Sequence, residues 1–534
     1  MKIILLIIFI LWLLKISKDI LFWTYLWQLK EYRLDRMRAH FELPSAKSIF
    51  FNKFYAGKII LLLGSGLLFI DVWKFFFQII AGALYALLGL KSIYEIYRKK
   101  IREPVFTKKA ILTLGLTLIP VVFISFFAYY KTSSASFLFN ILLLDMLIPV
   151  IVAGIIGVMK FPSEFFKNRT IIKAKAKRES MKDILVIGVT GSYGKTSMKE
   201  YLAHILEGKL RVIKTKENQN TEIGVAKFVL GEVTMDYDVF IVEMGAYKEG
   251  EVKNICDIVK PQIGILTGIN EQHISLFGSI ENIIKAKYEL IESLPQNGLA
   301  IFNGENDYTR ALYEKTDIPK RRYALRSFSV NASPDISCEK IDFKSDEMKF
   351  YVKLQGKKEL FETKLLGRHN ALNILGATLV ASDLGMSLEE IKERVKTLKA
   401  PPHTMDLKPG INGSSIIDDS YSANPRGVMA ALDVLESLKS NKKILVMHPL
   451  IELGPAARNI HRRIAVKINK VCDVCILTSS DFSREIKKNA PNTDVFIIKD
   501  PKITIAKLKK NIKAGDTVLL ENRIAEEIKN ALFA

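Results

Sequence analysis

The stretch ILVIGVTGSYGKTSMKEYLAHILEG, Ile184 to Gly208, restricts the fold of this chain more than any other. It opens with an apolar run, Ile184 to Val189, of the kind that forms a strand buried on both faces. A glycine-rich turn follows, Thr190-Gly191-Ser192-Tyr193-Gly194-Lys195-Thr196-Ser197. Met198, Tyr201, Leu202, Ile205 and Leu206 then recur at helical spacing on one face. Strand, glycine turn and helix in this order make a phosphate cradle. Glycines let backbone N–H groups turn inward, and the helix N-terminus adds partial positive charge. Lys195 is placed to reach the terminal phosphates, and the Thr196 hydroxyl to sit on Mg²⁺. Val189 stands where the commonest form of this motif has its first glycine, which leaves Thr-Gly-x-x-Gly-Lys-Thr. The alternative, a glycine turn with an incidental lysine, accounts for neither the strand before it nor the helix after it.

Beyond the loop, strand-like and helical patterns alternate, as in a parallel sheet covered by helices. Val239 to Glu243 is a strand ending in a carboxylate, the place where a phosphate-loop protein holds Mg²⁺. Ile263 to Gly268 is another strand; the loop after it carries His273, either in the ligand crevice or simply at the surface. Lys285, Lys287 and Glu289 on the helix from Ile280 to Leu294 read as a solvated face. Arg368, His369, Asn370 and Asn373 crowd the start of the helix from about Ala371, more polar groups than a cap requires. Leu398 to Asp406, with Pro401-Pro402, marks a boundary. Strands at 416–419, 444–447, 474–477, 495–498 and 517–520 then alternate with helices in a second, smaller doubly wound unit.

The chain has 534 residues, too many for one core. Its net charge of +22 would suit nucleic acid, but the basic residues gather beside apolar runs, as in cytoplasmic loops at an anionic membrane surface. No nucleic-acid partner is expected. Ile3 to Leu14 and Ile20 to Leu29 are apolar, with Lys15, Lys18 and Asp19 between them and no small-residue cleavage site after them. Ile59 to Leu90 suggests two short spans or a hairpin, while Ala110 to Tyr130 and Phe137 to Met159 each suggest one span. Placing both basic loops, 30–58 and 95–109, in the cytoplasm favours five spans, with four as the alternative. Cys472 and Cys475 form a lone C-x-x-C in a strand-like run, which reads as two buried, reduced thiols. The expected architecture is an α-helical membrane domain (1–160), a basic linker (161–182), a central α/β phosphate-loop domain with a parallel sheet (183–400) and a Rossmann-like C-terminal domain (401–534).

TGSYGKTS, NQNTEIGV (Asn218 to Val225), VEMGAYKEGE, TGINEQHISLFGS, AKYE, GRHNALN, IIDDSYSANP and IELG followed by His461 stand in order over residues 183–534. Together they resemble the Mur ligases, and within them the branch that adds D-alanyl-D-alanine to the peptidoglycan precursor. The resemblance implies an ATP-dependent amide ligase: a substrate carboxylate takes the γ-phosphoryl group of ATP, and an amine displaces phosphate from the acyl phosphate. Such chemistry needs a phosphate cradle, a divalent metal and positive charge at the transferred group. The resemblance puts Lys195 on the phosphates, Thr196 and Glu243 on Mg²⁺, and His273 on a second metal. Lys287 falls where these enzymes carry a carbamylated lysine, which would be anionic and able to hold metal. Asn370 and Asn373 match positions on the base side of the nucleotide, and Asp419 the carboxylate near the ribose. Tyr421, Asn424 and His461 are expected to line the crevice for the amine.

Four departures are visible. The arginine usual before the DDSYSANP strand is absent, the chain reading Pro402-His403-Thr404-Met405; histidine does not replace a fixed cationic fork at neutral pH. Met447-His448-Pro449 and Leu520-Glu521-Asn522-Arg523 replace a Leu-Gly pair and a Lys-Gly-Ser-Arg type segment. The largest departure is upstream, where a membrane domain takes the place of the family's UDP-binding domain. The implied partners are a sugar-peptide or lipid-linked acceptor, an amino acid or dipeptide, and envelope-synthesis proteins. The implied location is the cell membrane, with the catalytic domains in the cytoplasm. A ligase with a pseudomurein or polyglutamate type of acceptor, a membrane transport or signalling ATPase, and a ligase fold kept as a scaffold are the competing readings.

Overall fold

Runs that are apolar on every side form the first part of the chain, and they fold as helices with no polar face. The computed structural model describes residues 2–50, 52–98, 100–217, 219–325, 333–344, 347–421 and 424–533. It divides into two units, 1–166 and 167–534.

The first unit is built on α1 (Lys2–Leu29), α2 (Lys53–Gly64), α3 (Asp71–Tyr97), α4 (Lys108–Lys131) and the first part of α5 (Ser134–Glu179). Its core is Trp12, Ile16, Phe77, Tyr85, Ile141, Leu142 and Val152, while Phe69, Leu87, Phe123 and Val150 are exposed on the outside. Among the described residues three helices, α3, α4 and α5, are long and apolar enough to cross a membrane, rather than five. The expected pair of spans within 59–90 is instead the 12-residue α2 and the 27-residue α3; at 1.5 Å per residue α2 is too short to cross. The charges expected to interrupt α1 do not break it, because they are paired inside the unit. Lys15 pairs with Asp19 at 2.7 Å and with Asp145 of α5. Lys58 of α2 reaches the other oxygen of Asp145 at 2.7 Å, and the Tyr85 hydroxyl donates to it at 3.1 Å. These groups lie inside the helices. The basic segment 161–182 is not a separate linker either: α5 continues through it to Glu179 despite Pro149 and Pro162, since Lys, Arg, Ala and Ile favour helix.

In the second unit, β1 (Leu185–Thr190) is the buried strand expected before the phosphate loop, and α6 (Lys195–Leu206) the helix after it. They begin a βα alternation: β2 (Val212–Lys214), α7 (Glu222–Gly231), β3 (Val239–Glu243), α8 (Glu251–Val259), β4 (Ile263–Leu266), α9 (Ile280–Glu292), β5 (Leu299–Asn303), α10 (Asp307–Lys315) and β6 (Lys320–Ala324). Then come β7 (Ile336–Lys344), β8 (Glu347–Leu354), β9 (Lys357–Thr363), α11 (Arg368–Asp383) and α12 (Leu388–Lys396). The sheet runs β2-β3-β1-β4-β5-β6-β7-β8-β9 among the described residues. It is parallel from β2 through β7, and β7, β8 and β9 pair antiparallel. The sheet is therefore mixed and mainly parallel. Alternation was present in β8, where Met348, Phe350, Val352 and Leu354 face the core. One face of the sheet carries α6 and α11, the other α7, α8 and α9.

The C-terminal domain has β10 (Asp406–Pro409), β11 (Ser415–Asp419), α13 (Pro425–Ser437), β12 (Lys443–Met447), α14 (Ala457–Val471), β13 (Val474–Leu477), β14 (Asp494–Ile497), α15 (Pro501–Asn511), β15 (Thr517–Glu521) and α16 (Glu526–Leu532). Its sheet runs β10-β11-β15-β12-β13-β14, with only β10 antiparallel. The doubly wound unit expected from the apolar runs is present. Cys472 and Cys475 are buried and unbonded, and burial pushes the Cys472 thiol up to about 12.

Candidate active site

Parallel pairing of β1 with β3 sets Val189 opposite Glu243, so the carboxylate stands beside the start of the phosphate loop. Gly194 takes φ +76°, a left-handed turn suited to glycine, as the chain enters α6. The Thr267 hydroxyl donates to the Thr190 carbonyl at 3.1 Å, and the Ser192 N–H to the Gly268 carbonyl at 2.7 Å, tying the loop to the end of β4. Lys195 Nζ donates to the Gly191 carbonyl at 2.8 Å, so the ammonium already lies across the cradle. Its enclosure lowers its pKa against the opposing pull of Glu243.

Thr196 Oγ1 donates to Glu243 Oε2 at 3.0 Å, Asn220 Nδ2 donates to Oε1 at 3.0 Å, and Lys199 Nζ lies 3.6 Å from Oε2. The Thr196 hydroxyl and Glu243 carboxylate form a hard oxygen pair, which suits Mg²⁺ completed by phosphate oxygens and water. No group of three His, Cys, Asp or Glu side chains able to hold a metal occurs among the described residues.

Lys287 is buried on α9, not on a solvated face. Its Nζ donates to the Ala246 carbonyl at 3.3 Å and lies 5.6 Å from the Phe277 ring centre. Burial first, and then the charge of Lys195, push its pKa down to about 7, against Glu251 and Glu289. An amine of that pKa is substantially neutral near pH 7 and is nucleophilic. His273 has φ +60°, and its Nδ1 is 2.6 Å from Glu452 Oε2 in the C-terminal domain. Its ring meets Tyr247 edge-on, and burial lowers its pKa against the pull of Glu452.

Asn373 lies against the phosphate loop: a Cβ built on Gly194 would be 3.1 Å from its Oδ1. Asn370 is tied into the fold, its Oδ1 accepting from the Tyr201 hydroxyl at 2.8 Å and its Nδ2 donating to the Leu366 carbonyl at 2.8 Å. Asp419 accepts from the Met405 N–H at 3.1 Å and is the strand partner of Glu521. Burial, with Asp418 adding its charge, pushes Asp419 up to about 7; burial and Asp419 raise Glu521 well above the carboxylate range. His403 is committed to Asp418, at 2.6 Å. Tyr421 is partly exposed, and burial, with the charge of Glu243 adding to it, raises its pKa.

Asn424 accepts from the Asn270 amide at 2.8 Å and caps α13 through the N–H groups of Arg426 and Gly427, each at 3.1 Å. His461 does not line a crevice. It is fully buried, with Nε2 accepting from the Leu450 N–H at 3.1 Å and Nδ1 donating to the Ala457 carbonyl at 2.7 Å. It stacks on Phe482 at 4.1 Å, and burial pushes its pKa down to about 4. Both ring nitrogens are spent on the C-terminal domain, so its place is structural.

Asn220, Lys199, Asn270, Arg426 and Glu452 were not singled out in the sequence. Asn220 and Glu452 lie in the NQNTEIGV and IELG stretches, and the resemblance carried by those stretches was the available signal. A cavity of about 310 Å³ lies between the central and C-terminal domains, lined in part by Asn270, Glu271, Tyr308, Arg426 and Arg463.

A phosphate loop on a mainly parallel sheet, joined through His273, Asn270 and Tyr193 to a second doubly wound domain, defines a two-domain nucleotide-dependent enzyme. Residues 189–381 match the Mur ligase middle domain, and residues 405–521 the Mur ligase, glutamate ligase domain. The chain is 27% identical over 341 residues to the UDP-N-acetylmuramoyl-tripeptide–D-alanyl-D-alanine ligase of Bacillus subtilis, covering 63% of this chain and 72% of the relative. It is 32% identical over 277 residues to the ligase of the same name from Escherichia coli, covering 52% and 60%. The MurF ligase of Thermotoga maritima in complex with ADP superposes with a TM-score of 0.62 at 22% identity, covering 68% of this chain and 83% of that one. Over its middle and C-terminal domains the chain belongs to the Mur ligase family. It is an ATP-dependent amide ligase.

Proposed function

We propose that this protein is a membrane-embedded ligase of cell-envelope synthesis that joins an amino acid or dipeptide, D-alanyl-D-alanine in the first reading, to a sugar-peptide acceptor. The observation that carries it is the grouping of Lys195, Thr196 and Glu243 at the ends of β1 and β3, with Lys287 buried close enough to Lys195 to feel its charge. In this reading Thr190 to Ser197 cradle the phosphates of ATP, and Lys195 swings from the Gly191 carbonyl onto them. Thr196 and Glu243 hold Mg²⁺, which when bound neutralises charge on the transferred phosphoryl group. Asn220 and Lys199 keep the Glu243 carboxylate aimed at the loop. Lys287, as a free amine, is no metal ligand; its neutral form can take up carbon dioxide, and the carbamate would supply oxygens toward the second metal expected beside His273. Asn373 and Asp419 serve the nucleoside side, and Tyr421 and Asn424 stand where the amine would enter.

The acceptor carboxylate attacks the γ-phosphorus, ADP leaves, and the amine expels inorganic phosphate from the acyl phosphate. Fixed positive charge and exclusion of water are what the chain contributes to both steps. Three long apolar helices support membrane attachment, and the basic residues beside the apolar runs favour a cytoplasmic side for the catalytic domains. A second reading keeps the same chemistry with a different acceptor, of lipid-linked, pseudomurein or polyglutamate type. It is favoured by the apolar helical unit that precedes the phosphate-loop domain in this chain.

The test follows phosphate release by the purified full-length protein with ATP and Mg²⁺, offering UDP-linked and lipid-linked acceptors with and without D-alanyl-D-alanine. Release that needs both an acceptor and an amine is expected, and it is lost in Lys195→Ala. Release indifferent to every acceptor and amine would overturn the proposal.

A further inference from the structure

Arg426 stands in the first turn of α13, and its Nη1 donates to the Tyr193 hydroxyl at 2.8 Å. The guanidinium also lies 5.6 Å from the centre of the Tyr193 ring. Tyr193 belongs to the phosphate loop itself. Phosphate binding asks only for a backbone N–H at such a position, so the side chain is free for another task. Its ring presses on the backbone of Gly268, where a Cβ would come within 2.3 Å of it, and φ there is +158°. Its hydroxyl accepts a second hydrogen bond, from Asn306 Nδ2 at 3.3 Å. Asn306 is held in turn by the Ile269 carbonyl at 2.9 Å and by capping α10.

A parallel link stands beside this one. Asn270, from the loop after β4, donates to Asn424, and Asn424 caps the turn of α13 that carries Arg426. The start of α13 is thus bonded to both loops that surround the phosphate site. Pro402 to Met405 holds no arginine, and His403 is committed to Asp418.

We propose that Arg426 is a positioning residue for ATP: through Tyr193 it fastens the C-terminal domain to the phosphate loop and holds that loop in its phosphate-binding shape. An arginine suits the task because it stays charged at every working pH and its hydrogen bond to a neutral hydroxyl is charge-assisted. The proposal rests on the phosphate loop being the ATP site.

The experiment measures the Kd for ATP by calorimetry on detergent-solubilised full-length protein with Mg²⁺. The variants are Tyr193→Phe, Arg426→Met, the two combined, Arg426→Lys, and Lys195→Ala. Tyr193→Phe removes a single oxygen and keeps the ring on Gly268, and a thermal melt checks that each variant is folded. Tyr193→Phe and Arg426→Met should each weaken ATP binding about tenfold, in line with the loss of one charge-assisted hydrogen bond. The double variant should lose clearly less than the product of the two singles, because the Tyr193–Arg426 hydrogen bond is common to both, and Arg426→Lys should recover part of the loss. Unchanged affinity in both singles, or a double variant whose loss is the product of the two, overturns the positioning role. If Lys195→Ala binds ATP as the wild type does, the underlying assignment of the phosphate loop falls instead.

Discussion

Lys287 has Lys285 and Glu289 as near neighbours in sequence, yet Lys285 is exposed and Lys287 is almost fully buried. A two-residue step along a helix turns a side chain by about 200°, enough to carry one lysine to water and the other to the interior. The energetic consequence has a definite sign. Unfolded, this amine titrates near its ordinary 10.5; folded, near 7. Between those values the unfolded chain binds a proton that the folded chain has released, so stability rises with pH across that window. Lys287→Met should flatten that rise, make the protein more stable than wild type at pH 6 by roughly 1–3 kcal/mol, and abolish ATP-dependent turnover. Denaturant titrations from pH 6 to 10, with phosphate release beside them, check this; an unchanged slope and unchanged turnover would refute it. That Lys195, Thr196 and Glu243 come together at the ends of β1 and β3 was legible in the sequence, because a glycine turn between strand and helix and a carboxylate ending the neighbouring strand fix their places. His461 was misread because a motif carries order along the chain and not direction in space.

Among the elements, α1 shows why charge runs are poor guides to helix ends. Lys15 and Asp19 are one turn apart and pair with each other, and Asp145 of α5 draws in both Lys15 and Lys58. A buried carboxylate with two ammonium partners is expensive to remove, since it leaves Lys58 without the carboxylate it pairs with and Lys15 with Asp19 alone. Asp145→Ala should destabilise the helical unit by about 3–5 kcal/mol, read as earlier thermal unfolding by tryptophan fluorescence in detergent. An unaltered melt would mean that the cluster contributes nothing to packing. The β7–β9 hairpins were missed for a different reason. Their exposed positions carry Lys and Glu, as in Lys349, Lys353 and Lys358, and such residues give little strand signal by themselves.

For the whole molecule, the outer surface of the first unit and the chemistry of the second make separate demands. Exposed Phe69, Leu87, Phe123, Val150 and Phe161 form an apolar exterior far larger than a water-soluble chain carries. The protein should stay with the membrane fraction through an alkaline carbonate wash and leave it only in detergent; release by carbonate alone would refute a spanning arrangement. What the sequence by itself determined was the fold class of both α/β domains and the strand, glycine-turn and helix order from Leu185 to Leu206. Each of these is written in local periodicity or in fixed spacing between neighbours. Only the tertiary structure decided which side chains face each other across the chain. His273 and Glu452 meet from 179 positions apart, Tyr193 and Arg426 from 233, and Lys15 and Asp145 from 130. No periodicity reports such meetings, because they depend on how sheets stack, how domains dock and which faces of the helices are buried.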